Sequence, residues 1–352
     1  MKRKFALFLC ALICALLILF NPDAMDAARE GFALWRDSVM PALLPFFVCT
    51  TLMRQMGALQ SGNCAALFAL AFVSGAPGGA RLTAQYATDG EPDAGLSTLA
   101  AALNTISPMY IAGAFATGML GVPQAALPIL IAQFLAALLC VLLARKAYGP
   151  VLIASAPEQA LPFARLFVAS IAESVSSLLS ICGTIIFFLV FMRLLAATGI
   201  LAAVLWPFKS LLTLLGGNGA LAEALFTGML EVTSGSKALA ELALPLRTTA
   251  SVGAFFFSFG GLCVAAQSIL FLPVKAKEYF PLKLVQGVLA ALLCYLLFPL
   301  CFPGAAHTGT VSGETLAQNA LTATAIFAVS LLGVATVLLF SAVLGRRRRM
   351  RK

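Results

Sequence analysis

The sequence predicts an all-α, polytopic membrane protein, with about eight transmembrane helices plus two re-entrant hairpins in an inverted-topology repeat. Three observations carry that prediction. Of 352 residues, 61% are hydrophobic and only 11% charged, with mean hydropathy +0.99. A soluble domain sits near 45–50% and about 25%, so there is too little polar side chain to cover a water-facing surface. Apolar stretches of spanning length recur along the whole chain. The basic residues gather at the ends of those stretches: Lys2, Arg3 and Lys4; Arg145 and Lys146; Lys275, Lys277 and Lys283; and the tail GRRRRMRK. This is the positive-inside pattern of cytoplasmic loops. It accounts for the net charge of +9 without nucleic acid as a partner. The tail suits anionic lipid, at roughly 1 kcal/mol per basic residue near the surface.

In chain order, residues 1–37 read as a signal-anchor helix and an interfacial segment. The n-region is basic, the apolar core is long, and no clean A-x-A cleavage site follows. Full spans are expected near 39–56, 97–120, 122–144, 166–192, 249–271, 283–302 and 321–344. With the first helix the count is even, so both termini are cytoplasmic, in a bacterial cell membrane. The stretches 58–93 and 217–247 are apolar but glycine-interrupted. Counted as single spans they would put Arg145 and Lys146 on the wrong side; counted as re-entrant hairpins, entering from opposite faces, they leave the charge pattern intact. Residues 200–215, with Pro207 and Lys209 near the centre, read as an interfacial or linking helix, a true span being the rival. The domain organisation expected is a first repeat at 38–147, a cytoplasmic linker at 148–165, a second repeat at 166–302, and a final helix with basic tail at 303–352.

The hairpins hold the residues that break the membrane pattern. FVSGAPGGARLTAQ starts as a helix and then meets Gly75, Pro77, Gly78 and Gly79, with Ser74 before and Arg81 after. Irregular backbone at membrane depth is tolerated only inside protein or beside a water-filled cavity. There the freed N–H and C=O groups can hold a solute or ion. The plain alternative is a tight turn with Arg81 snorkelling to the cytoplasm. The second hairpin carries LEVTSGSKAL, with Glu231, Thr233, Ser234, Gly235 and Lys237. A carboxylate in an apolar run costs roughly 2.5–3.5 kcal/mol to insert. Glu231 must therefore face a cavity or a partner: either Lys237 across the turn, or a solute or coupling cation. GARL at 79–82 is echoed by GSKA at 235–238, and each is followed about two dozen residues on by an interrupted span, NTISPMYIAGAFATG and SFGGLCVAAQ.

Two polar faces complete the candidate set. Ser170, Glu173, Ser177, Ser180 and Thr184 share one helical face, fit either for lining a polar path or for helix–helix packing. Ser97, Asn104 and Ser107 precede Pro108 in a similar stripe, Asn104 being the stronger candidate. No catalytic residue, metal site or cofactor is expected. Cys10, Cys14, Cys49, Cys64, Cys140, Cys182, Cys263, Cys294 and Cys301 form no C-x-x-C pair, and the single histidine, His307, lies in a late loop. Nucleotide-binding and hydrolase motifs are absent, and Ser236 and Lys237, adjacent on a turn, do not face each other. The partners expected are a small polar solute and a coupling cation; the sequence leaves a homo-oligomer open.

SGAPGGARL, NTISP, EVTSGSKA and FSFGGLCVAAQ, in this order and with LPFFV (44–48) before the first hairpin, resemble the YlbJ-type sporulation integral membrane proteins of spore-forming Firmicutes. That family carries the nucleoside-recognition, or Gate, domain, shared with concentrative nucleoside transporters and the membrane part of FeoB iron transporters. The resemblance covers roughly residues 38–300. It implies a transporter-like fold of inverted repeats in the sporulation machinery, with Ser74–Arg81, Asn104–Pro108 and Glu231–Lys237 lining the gate. Ala76 departs from the pattern, an aromatic residue being expected before the proline. No nucleotide-binding domain accompanies the Gate region, so FeoB-like GTP coupling is not implied. The expected function is movement of a small polar solute, nucleoside-like or other, by alternating access; a non-transporting scaffold of spore-envelope assembly is the rival from another class.

Overall fold

A computed structural model describes residues 2–56, 64–84, 94–148, 162–214, 219–242, 244–271 and 275–301, all of whose regular structure is helical. Four helices are long and apolar enough to cross a membrane: Pro123–Ala144, Phe163–Ala197, Leu246–Ile269 and Ala276–Cys301. Among the described residues a bent pair, Leu7–Leu19 and Asn21–Val39 meeting at 98°, brings the count to five if it is one broken span. This count is below the expected eight for two reasons. The expected span at 321–344 lies outside the described residues, and several apolar segments run as half-helices rather than rods.

The chain begins with α1 (Lys2–Leu19), whose side chains are largely exposed, and turns sharply into α2 (Asn21–Leu34). From there the backbone stays helical through a π turn at Trp35–Val39 into α3 (Met40–Gln55). The Met40 N–H reaches back to the Trp35 carbonyl. Pro41 and Pro45 follow at once and cannot donate to a regular helical ladder, which accounts for the widened turn. The helix that holds the expected span at 39–56 therefore extends back to Asn21. The acids and bases between Asp23 and Asp37 had given its first half an interfacial look.

Two short helices, α4 (Cys64–Ser74) and α5 (Gly78–Ala84), fold back on each other: Leu82 joins Leu67 and Leu70 in one apolar cluster. The 11 residues of α4 rise about 16 Å, half of a hydrocarbon core about 30 Å thick. Next, α6 (Ala94–Leu103) stops at Asn104–Ser107, and a π-helical stretch, Tyr110–Met119, continues the path. A 3₁₀ turn at Pro123–Ala125 leads into α7 (Ala126–Tyr148).

Helix α8 (Phe163–Ala197) is 35 residues long and lies antiparallel to the α2–α3 rod. Gly31 packs against Ile186, the Trp35 indole donates to the Leu178 carbonyl at 3.0 Å, and Gln55 meets Ser170. After Gly199 (φ 73°) the chain turns into α9 (Ile200–Leu214). At 15 residues α9 rises only about 22 Å, with Trp206 and Phe208 exposed and Leu201 and Leu205 buried. The stretch expected as an interfacial or linking segment is thus helical.

The second helical hairpin, α10 (Gly219–Leu230) and α11 (Val232–Glu241), turns at Glu231. It is followed by α12 (Leu246–Phe259), interrupted at Gly260 (φ 84°) and Gly261 (φ 72°) before α13 (Gly261–Phe271), and by α14 (Ala276–Cys301). Helices α12 and α13 form the centre of the molecule, with Phe256 and Phe257 fully buried beside Phe115 and Ile111.

Candidate functional site

Four interruptions of helical backbone meet in one region. The Ala76 N–H at the first hairpin's tip donates to the Thr105 carbonyl at 2.6 Å, and the Ile106 N–H donates to the Phe257 carbonyl at 2.9 Å. Gly75 (φ 67°) presses so close to Ser107 that an added Cβ would meet its backbone nitrogen at 2.5 Å, and Gly79 lies against the Leu103 carbonyl. On the other side Gly235 of α11 contacts Gly228 of α10, and a Cβ on Gly261 would meet the Gly228 and Leu230 carbonyls at 3.2 Å. Gly75, Gly79 and Gly235 are thus required by close approach of backbone to backbone.

Glu231 is 3% exposed, and its charge is held by the start of α11. The carboxylate accepts from the Thr233 N–H at 2.8 Å and from the N–H and hydroxyl of Ser234, each at 2.6 Å. A helix N-terminus stabilises an anion through its unpaired N–H groups and its dipole. This meets the insertion cost without Lys237, whose ammonium pairs instead with Glu30 at 2.9 Å.

Between the tips, α3 and α8 lies a cavity of about 40 Å³ whose lining includes Ala76, Ile106, Ser107, Tyr110, Thr184, Glu231, Thr233, Cys263 and Gln267. A volume of that size holds a few waters or a small ion, not a nucleoside. Glu231 also borders a second, open vestibule of about 470 Å³ on the side of the second hairpin. Glu30, Glu223, Glu231 and Glu241 face Arg193 and Lys237 there, so acids outnumber bases. On the side of the first hairpin only about 30 Å³ is open, between Thr50, Thr51, Arg54, Ser74, Gly78, Arg81 and Ser177.

Each hairpin's cation is tied to a long helix. Arg81 and Arg54 share the Glu173 carboxylate, to which Gln55 also donates at 2.8 Å, and Arg81 reaches Ser177 at 3.1 Å. Lys237 shares Glu30 with Arg193, the latter at 3.2 Å. Glu173 and Arg193 both lie on α8, 20 residues apart, which is about 30 Å of helix.

The expected residues therefore divide. Ser107, Glu231 and Thr233 line the central cavity, Ser234 and Lys237 the vestibule, and Ser74, Gly78, Arg81 and Ser177 the small opening on the opposite side. Glu173 anchors Arg81 rather than lining any of the three, and Gly75, Gly79 and Gly235 serve the packing. The hydroxyls of Ser170, Ser177, Ser180 and Thr184 each donate to the carbonyl four residues back. Only Thr184 of that stripe reaches the central cavity.

Asn104 is fully buried but stands away from Glu231's cavity. Its amide donates to Ser268 at 2.6 Å and Tyr279 at 2.9 Å, locking the end of α6 to α13 and α14. Lys283 corrects the sequence reading most sharply. Expected in a cytoplasmic loop, it lies inside α14, 1% exposed, and donates to the Asn104 carbonyl at 2.8 Å and to Gln286 at 3.1 Å. Gln286 in turn donates to the Ala102 carbonyl at 2.9 Å and Gln133 to the Ile106 carbonyl at 2.7 Å. Glu30, Arg54 and Arg193 were likewise missed. The available signal was their charge within stretches that must be helical to cross.

The chain is 29% identical over 339 residues to the sporulation integral membrane protein YlbJ of Bacillus subtilis (strain 168), covering 84% of this chain and 81% of that one. This similarity bears out the resemblance to YlbJ-type proteins. No family model matches the chain, and no solved structure matches it.

Proposed function

We propose that this YlbJ-like membrane protein acts in spore formation as a Gate-type carrier, moving a small polar solute across the cell membrane by alternating access. The observation that carries the reading is the position of Glu231. It borders both the small central cavity near the hairpin tips and the vestibule of about 470 Å³, a volume in the range of small-molecule sites. A carboxylate facing both compartments can receive a solute from the vestibule and pass it inward.

The inverted repeat belongs to the same proposal. Hairpin α4–α5 with the break after α6 corresponds to hairpin α10–α11 with the break after α12. The roughly 30 Å between the Glu173 and Arg193 clusters matches the hydrocarbon thickness, which supports hairpins entering from opposite faces. In this arrangement the Arg54–Glu173–Arg81 cluster closes the cytoplasmic side while the Glu30–Arg193–Lys237 side stands open. The excess of acids in the vestibule favours a solute bearing amine or hydroxyl groups, nucleoside-like solutes included. No catalytic step is part of this reading.

The test is uptake of labelled nucleosides and small polyhydroxyl or amine solutes into proteoliposomes, comparing the unmodified chain with Glu231→Gln. Uptake reduced to background by the substitution, at equal amounts of folded protein, is the expected result. Undiminished uptake by the variant would remove Glu231 from the path. No uptake of any solute by the folded unmodified chain would favour a scaffold.

A further inference from the structure

Lys283 has no part in the carrier reading above, yet it is the most deeply buried cation among the described residues, at 1% exposure. Its ammonium contacts two oxygens, the Asn104 carbonyl at 2.8 Å and Gln286 Oε1 at 3.1 Å, and among the described residues no carboxylate pairs with it. A buried ammonium persists only where its surroundings replace water and a counter-ion. They do so at the end of α6. The terminal carbonyls of a helix carry partial negative charge, and this end is broken open at Asn104. Two further buried amide oxygens in the same segment and beside it, Asn104 Oδ1 and Gln133 Oε1, have no hydrogen-bond partner. The segment thus gathers neutral oxygen atoms in excess of the donors available, with no acid among its contacts. Divalent ions of the calcium and magnesium type draw on carboxylates, so a set of carbonyl and amide oxygens suits a monovalent cation.

We propose that the broken end of α6 is a monovalent-cation site and that Lys283 fills it with its own ammonium, delivered from α14. The charge that a free alkali ion would bring is covalently attached, and the broken segment needs no metal ion to stay folded. What this means for coupling rests on the carrier reading; the site and its test do not, because the readout is unfolding.

Lys283→Ala empties the site, and Lys283→Met fills it with an uncharged chain of similar length. Thermal unfolding of the full chain in lipid nanodiscs is followed in choline, sodium, potassium and ethylammonium chloride at equal ionic strength. The unmodified chain should melt at the same temperature in all four. Lys283→Ala should melt lower in choline and recover by roughly 5 °C, saturably, with at least one of the small cations, as ligand binding to the folded state requires. Lys283→Met should melt lower and recover with none. The proposal is overturned if Lys283→Ala gains nothing from any cation, whether it is stable or unfolded in all of them. It is equally overturned if Lys283→Met matches the unmodified chain, or recovers as Lys283→Ala does.

Discussion

Gly235 packs against Gly228 on the facing helix so closely that a methyl group would fall on the Gly228 backbone. Backbone atoms cannot rotate aside as a side chain can, so Gly235→Ala should be destabilising by about 1–3 kcal/mol, the usual cost of overpacking. Gly183, with nothing within 4 Å of its would-be Cβ, is the contrast: inside α8, alanine there should be neutral or raise stability by up to about 1 kcal/mol. Thermal unfolding of the two variants in nanodiscs distinguishes these outcomes, and equal melting temperatures would refute the close-contact account. The same scale explains Glu231. Its position in the apolar run was visible in the sequence, but its partners were not. Thr233 and Ser234 lie two and three residues on, and they serve as donors only because α11 starts immediately after the carboxylate.

At the scale of elements, each hairpin is a short helical pair held at its tip by backbone contacts and at its flank by a shared carboxylate. Glu173 holds Arg54 of α3 and Arg81 of α5 together, all three side chains between 19% and 27% exposed. Glu173→Gln leaves two guanidiniums without their common anion. The partial exposure moderates the loss, which we put at about 1–3 kcal/mol, below the 3–5 typical of a fully buried pair. The expected consequence is local: a cysteine at Ser74, in an otherwise cysteine-free chain, should react faster with a water-soluble maleimide when Glu173 is also glutamine. An unchanged rate would show that backbone contacts alone hold the hairpin. The hairpins themselves were legible from glycine content and charge placement. The long α2–α3 rod was not, because its first half carries Asp23, Asp26, Arg29, Glu30, Arg36 and Asp37, a charge density that hides the helix's continuity from a hydropathy reading.

For the whole molecule, the rods α2–α3 and α8 run antiparallel along their length. Met56, at the end of α3, and Ala197, at the end of α8, are both exposed and lie at opposite ends of that pair. Single cysteines at these positions should be labelled by an impermeant reagent from opposite sides of sealed vesicles, Met56 from the cytoplasmic side. Labelling of both from one side would overturn the orientation. The sequence alone determined the helical membrane class, the two glycine-broken hairpins and the interrupted helices near Asn104 and Gly260. It could do so because composition, glycine placement and the distribution of basic residues are properties of the chain read in order. Tertiary structure alone decided which charges meet: Lys237 with Glu30, Arg81 with Glu173, and Lys283 with the open end of α6. Those partners lie 207, 92 and 179 residues apart in the chain. Pairings at such separation leave no periodicity to read and exist only once the helices have packed.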